Sequence, residues 1–269
     1  MHLCTLLKLH DNTMFRNIFT IAHNTFRETM RDRILLAALA VVLVIIAFTL
    51  FIGSISLEQN LRMIVDFGVS AIYILQIFVA IFIGSMLMYK EIEQKTFFLI
   101  LPKPIHRYEI ILGKAFGLTF TTLAVTLLST LALFVILFLK GGASFFIPIL
   151  ISVFLSTLEA MILIFISILF SGFTSPILSA IYTVVFFLAG HSGDSLRPLI
   201  AFPISTASEV VARAIYYLLP NLEKFNIRND IVFGEIPSMM TLFVAFLYAI
   251  FCSGLLFYLA NLSFKKKEF

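Results

Sequence analysis

Residues 110–139 read IILGKAFGLTFTTLAVTLLSTLALFVILFL and hold a single charged side chain, Lys114. The apolar character then continues, because between 140 and 190 the chain adds only two charged residues, Lys140 and Glu159. A helix that crosses a membrane needs about 20 mostly apolar residues. A stretch of this length and apolarity belongs in a bilayer, and it predicts an all-α membrane protein.

Composition supports the same class. The chain has 269 residues, of which 61% are hydrophobic and 13% are charged, whereas soluble domains carry about 25% charged residues. The formal net charge of +4 fits a membrane protein and gives no reason to expect a nucleic acid partner. Cys4 and Cys252 have no neighbours at metal-ligand spacing, so we expect no disulfide and no metal site on this chain.

We expect one membrane domain over 1–269 with six transmembrane helices. The apolar runs that predict them are 34–53, 66–88, 112–139, 147–170, 176–190 and 238–260. The fifth run is short, and either a continuous helix or a broken, re-entrant one fits it.

The distribution of positive charge orients these helices. Thirteen of the 19 Lys and Arg residues lie before the first predicted span, between the second and third, or after the last. Cytoplasmic loops are enriched in Lys and Arg. Both termini are therefore expected in the cytoplasm, with the chain integral to a cytoplasmic (inner or plasma) membrane.

Two segments are expected to flank the spans without crossing. Residues 14–32 form an amphipathic pattern typical of an interfacial helix on the inner leaflet, with a presequence or a solvated helix as the alternatives. Met14 competes with Met1 as the start, because the pattern begins there. The outer loop 191–237 is too long to be a turn, and its Thr206–Glu209 capping box predicts an internal helix.

The charged segment 89–109 lies between the second and third spans. Glu91 and Glu93 precede an apolar run at 97–101 that is too short to cross a membrane, and prolines then end any helix. A polar surface joined directly to two spans can act as a lever. On physical grounds alone, an ordinary interfacial loop is an equal alternative.

Residues 91–114 also carry a specific order of acidic, apolar, proline and basic positions: Glu91-x-Glu93-x-x-Thr96, an apolar run, Pro104-Ile105-x-Arg107-x-Glu109-Ile110, then Leu112-Gly113-Lys114. This pattern resembles the cytoplasmic loop of the ABC-2 type transporter permeases. The six-span layout and the N-terminal interfacial helix are similar to that family as well. The outer loop, with its Leu218–Leu222 motif, looks like the branch associated with multicopper-enzyme maturation.

The resemblance implies the membrane-spanning subunit of an ABC exporter with an unidentified substrate. Segment 89–109 would be a coupling helix that docks on a separate ABC ATPase subunit, and a second permease subunit, identical or homologous, would complete the complex. The residues implied in docking are Glu91, Glu93, Thr96, Pro104, Arg107 and Glu109.

Hydrolysis of ATP is not expected on this chain. A phosphate-binding loop has the pattern G-x-x-x-x-G-K-[ST]. Gly113-Lys114 is followed by Ala115, and Tyr108 occupies the upstream glycine position. We therefore expect a non-catalytic subunit without a cofactor of its own, with ATP and Mg²⁺ bound by the partner chain.

Glu159 is the one acidic residue deep within a predicted span, where a charge costs at least about 2.5 kcal/mol. A role in the substrate path, in proton relay or in pairing between subunits fits this position. A protonated carboxyl hydrogen-bonded to a neighbouring helix, at Ser156 or another hydroxyl, fits it equally well. His191 and Asp194 at an outer span end are more typical of a loop cap than of a catalytic or metal site.

Two other classes of function stay open at this stage. The first is a membrane scaffold or assembly factor without a transport cycle. The second, less favoured, is an integral-membrane enzyme, which would need several polar residues converging at one depth.

Overall fold

The computed structural model of the chain describes residues 2–55, 60–87, 106–192, 220–232 and 236–265. Of the residues implied in docking, Arg107 and Glu109 fall within these ranges. The other four (Glu91, Glu93, Thr96 and Pro104) lie outside them, as does the predicted capping box of the outer loop. Across the described ranges, all regular structure is helical, which confirms the all-α prediction.

Eight α-helices follow one another along the described chain. They are α1 (His2–Met30), α2 (Arg33–Ile55), α3 (Asn60–Leu87), α4 (Arg107–Leu139), α5 (Phe146–Ser171), α6 (Pro176–His191), α7 (Arg228–Val232) and α8 (Met239–Lys265). Short 3₁₀ turns occupy Ala143–Phe145 and Glu223–Phe225, and α3 contains a π-helical turn at Val79–Ile83.

Five of these helices, α2, α3, α4, α5 and α8, are long and apolar enough to cross a membrane. The chain is thus a polytopic helical protein by the length and composition of its helices. The fifth predicted span corresponds to α6, which has 16 residues and rises about 24 Å. A hydrocarbon core is about 30 Å thick, so the sixth span stays a prediction.

Local sequence explains where α6 begins. Pro176 occupies its first turn and Ser175 precedes it in an extended conformation. Proline is favoured at the first helical position because its missing N–H would have no partner there. A turn at residues 172–174 joins α5 and α6.

The central helices of the bundle are α3 and α5. In each, 72% of the most apolar 18-residue stretch is buried inside the protein, compared with 28% for α2 and 17% for α8. Helix α2 packs beside α3, α8 runs along α5, and α1 packs on α4. The two central helices are therefore where a polar side chain must find its partner inside the protein.

Buried hydroxyl groups in α4 are satisfied within their own helix. The hydroxyls of Thr121, Thr126 and Thr130 donate to the carbonyl oxygens four residues earlier at 2.6–2.9 Å. Such local bonds remove the need for an interhelical partner in an apolar environment. These residues therefore do not mark a polar site.

Close contact between α1 and α4 depends on Gly113 and Gly117, which lie one turn apart on α4. A Cβ atom at Gly113 would lie 2.7 Å from Cβ of Ile21, and one at Gly117 would lie 2.6 Å from Cβ of Thr25 and 2.7 Å from the Ala22 carbonyl oxygen. Only glycine allows the backbones this close. Gly113 therefore serves close packing of α4, with α1 as its partner.

Replacing Gly117 with valine is expected to lower the free energy of unfolding in detergent by about 1–3 kcal/mol, because the side chain overpacks the α1–α4 contact. Gly254 in α8 is a matched control, since a Cβ atom there would meet nothing within 4 Å. Denaturant titration of both variants checks this. Equal losses for Gly117→Val and Gly254→Val would contradict the packing described.

Candidate functional site

Glu159 lies on α5 at the centre of the bundle with 0% of its surface exposed. The hydroxyl of Tyr73 on α3 donates a hydrogen bond of 2.7 Å to its Oε1 atom. The partner is thus a hydroxyl on a neighbouring helix, one of the alternatives drawn from the sequence. Ser156 is not the partner, because its hydroxyl donates to the Val153 carbonyl oxygen at 3.1 Å.

A second polar contact joins α3 and α5 one helical turn away. The side-chain nitrogen of Gln76 donates to the Thr157 hydroxyl at 3.0 Å. Two acceptor atoms at this interface, Oε2 of Glu159 and Oε1 of Gln76, are buried and have no hydrogen-bond partner among the described residues. When Glu159 is ionised, the interface therefore holds more acceptors than donors.

His191 reaches the same carboxyl group from the end of α6. Its Nε2 atom lies 3.3 Å from the Tyr73 hydroxyl and 3.5 Å from Oε1 of Glu159. Its Nδ1 atom lies 3.1 Å from the Phe187 carbonyl oxygen. A carbonyl only accepts, so Nδ1 carries a proton, and Nε2 becomes a donor only when the ring is an imidazolium. The single Tyr73 proton goes to Glu159, the closer acceptor.

Two further charged residues come from the segment that precedes α8. Oε2 of Glu223 lies 3.9 Å from Nε2 of His191. The guanidinium of Arg228 lies 3.7 Å above the Tyr73 ring centroid, and its Nε atom donates to the Asn226 side chain at 3.0 Å. A cation over an aromatic face is attracted by the ring quadrupole. The Tyr73 ring is thereby covered by an internal cation.

We refer to these five side chains as the Glu159 cluster, and its members are Glu159, Tyr73, His191, Glu223 and Arg228. It joins α3, α5, α6 and the segment 220–232. Both carboxyl groups lie within 4 Å of one imidazole nitrogen, beside one guanidinium. Such a group of side chains can bind a cation or hold a proton.

The segment 220–232 is anchored where α6 ends. The backbone N–H of Leu222 donates to the Gly190 carbonyl oxygen at 3.1 Å, and that of Asn221 donates to the Tyr248 hydroxyl at 2.8 Å. The Leu222 side chain is fully buried. The segment therefore packs into the bundle beyond the short α6.

The sequence identified one member of the cluster and missed the others. Glu159 stood out because it interrupts an apolar run. His191 was interpreted as a loop cap with Asp194, which lies outside the described residues, whereas its ring contacts Tyr73 and Glu159. Tyr73 and Gln76 are polar groups within the apolar run 66–88, and that was the signal available for them.

At the other end of the bundle, Arg107 and Glu109 lie in the first turn of α4. Arg107 is exposed, whereas Glu109 is 2% exposed and accepts a hydrogen bond of 3.1 Å from the Asn17 side chain of α1. Asn17, Ile21 and Thr25 thus face Glu109 and the two glycines of α4 at matching helical spacing. Glu109 braces α1 against α4.

No protein-family model matches the chain, and no curated protein matches it. The likeness of residues 91–114 to a permease loop therefore remains an expectation from the sequence. Two polar sites, the Glu159 cluster and the Glu109–Asn17 contact between α4 and α1, are the basis for assigning a function.

Replacing Tyr73 with phenylalanine is expected to lower the free energy of unfolding by about 1–3 kcal/mol, because it leaves Oε1 of Glu159 without its donor in a buried site. Tyr258 on α8 is a matched control, since its ring is 59% exposed. Denaturant titration in detergent measures both. A Tyr73→Phe loss no larger than that of Tyr258→Phe would show that the hydrogen bond contributes nothing.

Proposed function

We propose that the chain is the membrane-spanning permease subunit of an ATP-binding cassette transporter, an exporter driven by a separate ATPase subunit. The observation that supports it most is the bracing of α1 against α4 at the point where segment 89–109 enters the bundle. A second permease subunit, identical or homologous, completes the complex. ATP and Mg²⁺ are bound by the partner ATPase, and both termini of this chain face the cytoplasm of a cytoplasmic membrane.

The first step in this mechanism is force acting on segment 89–109. Glu91, Glu93, Thr96, Pro104 and Arg107 contact the ATPase. Helix α4 starts at Arg107 and has 33 residues, so it is about 50 Å long. Glu109, Gly113 and Gly117 hold α1 against its first turns. A push on the segment consequently moves α1 and α4 together as one body.

The second step runs through α3, which enters the same segment from the other side. Helix α3 ends at Leu87 and carries Tyr73, so it connects the docking segment with the Glu159 cluster. Between them lies the π-helical turn Val79–Ile83. Such turns interrupt regular helical hydrogen bonding and occur often at functional sites. Movement of the Leu87 end thereby changes the position of Tyr73 relative to Glu159.

A scaffold or assembly factor is the alternative from another class. It would need the same rigid bundle but no ATPase partner and no change at the Glu159 cluster. An integral-membrane enzyme is the third class, and the polar side chains that converge in the Glu159 cluster favour it, although the Arg228 guanidinium covers the Tyr73 ring. A reacting substrate would have to displace that guanidinium before reaching the hydroxyl.

The double substitution Glu91→Ala/Glu93→Ala is expected to reduce co-purification of the chain with its ATPase subunit about tenfold, which corresponds to about 1.4 kcal/mol of binding free energy. We expect this reduction because the two substitutions remove charged contacts between the docking segment and the ATPase. Glu28→Ala/Glu268→Ala removes the same charge elsewhere on the expected cytoplasmic side and should leave binding unchanged. Candidate ATPases carrying a phosphate-loop motif are co-expressed and quantified after affinity capture.

Failure of every such ATPase to associate would contradict the transporter proposal and favour a scaffold. Association of the Glu91→Ala/Glu93→Ala variant at the wild-type level, with normal ATP turnover, would remove the docking role from these two residues.

Asn17→Leu is expected to keep the ATPase bound but to slow its turnover severalfold, because α1 no longer moves with α4 once Glu109 loses its donor. Asn24→Leu on the same helix is the control, since Asn24 is exposed. ATP hydrolysis by the purified complexes in lipid measures both. Equal turnover in the Asn17 and Asn24 variants would contradict a mechanical role for the α1–α4 contact.

A further inference from the structure

We propose that the Glu159 cluster is a recognition site for an ammonium group carried on an apolar molecule, and that Arg228 occupies the place of that cation in the present arrangement. The inference rests on the proposed function, because it names the chemical class of the transported molecule. It is supported by the unpaired acceptors, by the cation already present on Tyr73 and by the apolar Phe187 ring that contacts Tyr73 and His191.

The hydrogen-bonding balance of the α3–α5 interface indicates a donor. When Glu159 is ionised, its Oε2 atom and Oε1 of Gln76 are both acceptors with no partner in the described part of the chain, and the two residues that bear them are fully buried. A primary ammonium group carries three N–H donors and no acceptor. A phosphate or carboxylate would instead add acceptors to a site that already has an excess of them.

The Tyr73 ring already holds a cation. The Arg228 guanidinium lies 3.7 Å above its centroid, and the Tyr73 hydroxyl is fixed by its 2.7 Å bond to Glu159. An aromatic face beside a carboxylate is an arrangement that recognises cations through both electrostatic and ring interactions. Arg228 belongs to the segment 220–232, so displacement of that segment opens the ring to an external ammonium group.

Apolar surface for the rest of the ligand lies on α3 and α6, the helices that carry Tyr73 and His191. A groove of about 280 Å³ runs between α3 and α6, lined by residues that include Phe82, Met86, Ile181 and Val185. Val185 is six residues from His191, which is about 9 Å along α6. Phe187 lies between these two residues in the sequence, and its ring contacts both His191 and Tyr73. An ammonium group in the cluster can thus place its apolar body against the Phe187 ring.

An organic cation fits the site better than a metal ion does. Among the residues that the structure describes, no group of three or more His, Cys, Asp and Glu side chains is placed to hold a metal. The Tyr73 and Phe187 rings also contribute nothing to metal binding, whereas both contribute to binding of an apolar amine.

The test uses the full chain, with its ATPase where that subunit co-purifies, in lipid nanodiscs. Binding of 1-adamantylammonium is measured by isothermal titration calorimetry. Its neutral analogue 1-adamantanol and its trimethylammonium analogue, which lacks N–H donors, are compared with it. We expect wild type to bind the primary ammonium at least about tenfold more tightly than either analogue, because only that ligand supplies both charge and donors.

Variants then assign the binding to the cluster. Arg228→Gln should tighten binding of 1-adamantylammonium about tenfold, because the internal competitor is gone. Lys224→Gln is the matched control, since Lys224 lies over a different ring, that of Tyr248, at 4.5 Å in the same segment. In the Arg228→Gln background, Glu159→Gln should abolish the gain. Tyr73→Leu should do the same and serves where the Glu159 variant fails to fold.

Equal affinity for the ammonium and for 1-adamantanol, no saturable binding to wild type and Arg228→Gln, or full affinity in Glu159→Gln or Tyr73→Leu would overturn the proposal. The outcome is separate from that of the transporter proposal. Loss of binding with ATPase association intact rejects only the ammonium site. Binding without any associating ATPase rejects only the transport cycle.

Discussion

The fold depends on one requirement, that the carboxyl group of Glu159 obtain hydrogen bonds inside an apolar bundle. A polar group buried in hydrocarbon has no water to hydrogen-bond with, so its hydrogen-bond partners must come from the protein. Tyr73 supplies the closest bond, at 2.7 Å, and His191 approaches from α6. Because these residues come from α3, α5 and α6, the requirement fixes how three helices are placed relative to one another.

The same requirement explains why the segment 220–232 packs into the bundle. The segment supplies Arg228 and Glu223 beside Tyr73 and His191 at the end of α6. In our proposal, α3 links this end of the bundle to the docking segment 89–109 and contains a π-helical turn on the way. The same proposal has the ATPase move α1 and α4 together at one end of the bundle. At the other end, movement of α3 changes the position of Tyr73 relative to Glu159.

Parts of this structure could be predicted from the sequence because they depend on local properties. The apolar run 110–139 gives a membrane helix from hydropathy alone, and Pro176 marks where α6 begins. The packing role of Gly113 follows from its small size. The pairing of Tyr73 with Glu159 was out of reach, because it joins residues 86 positions apart and depends on how α3 and α5 pack. The position of Arg228 depends on the same tertiary contacts. The sequence therefore could not predict that this loop residue would lie over the Tyr73 ring.

The most direct test of the account is a double-mutant cycle between Tyr73→Phe and Glu159→Leu, measured as free energies of unfolding in detergent. If this pair holds the central helices together, the two losses will be coupled by about 0.5–3 kcal/mol, as for residues in direct contact. Losses that add within about 0.5 kcal/mol would show that the two residues act independently. That result would contradict the claim that the buried carboxyl organises the bundle.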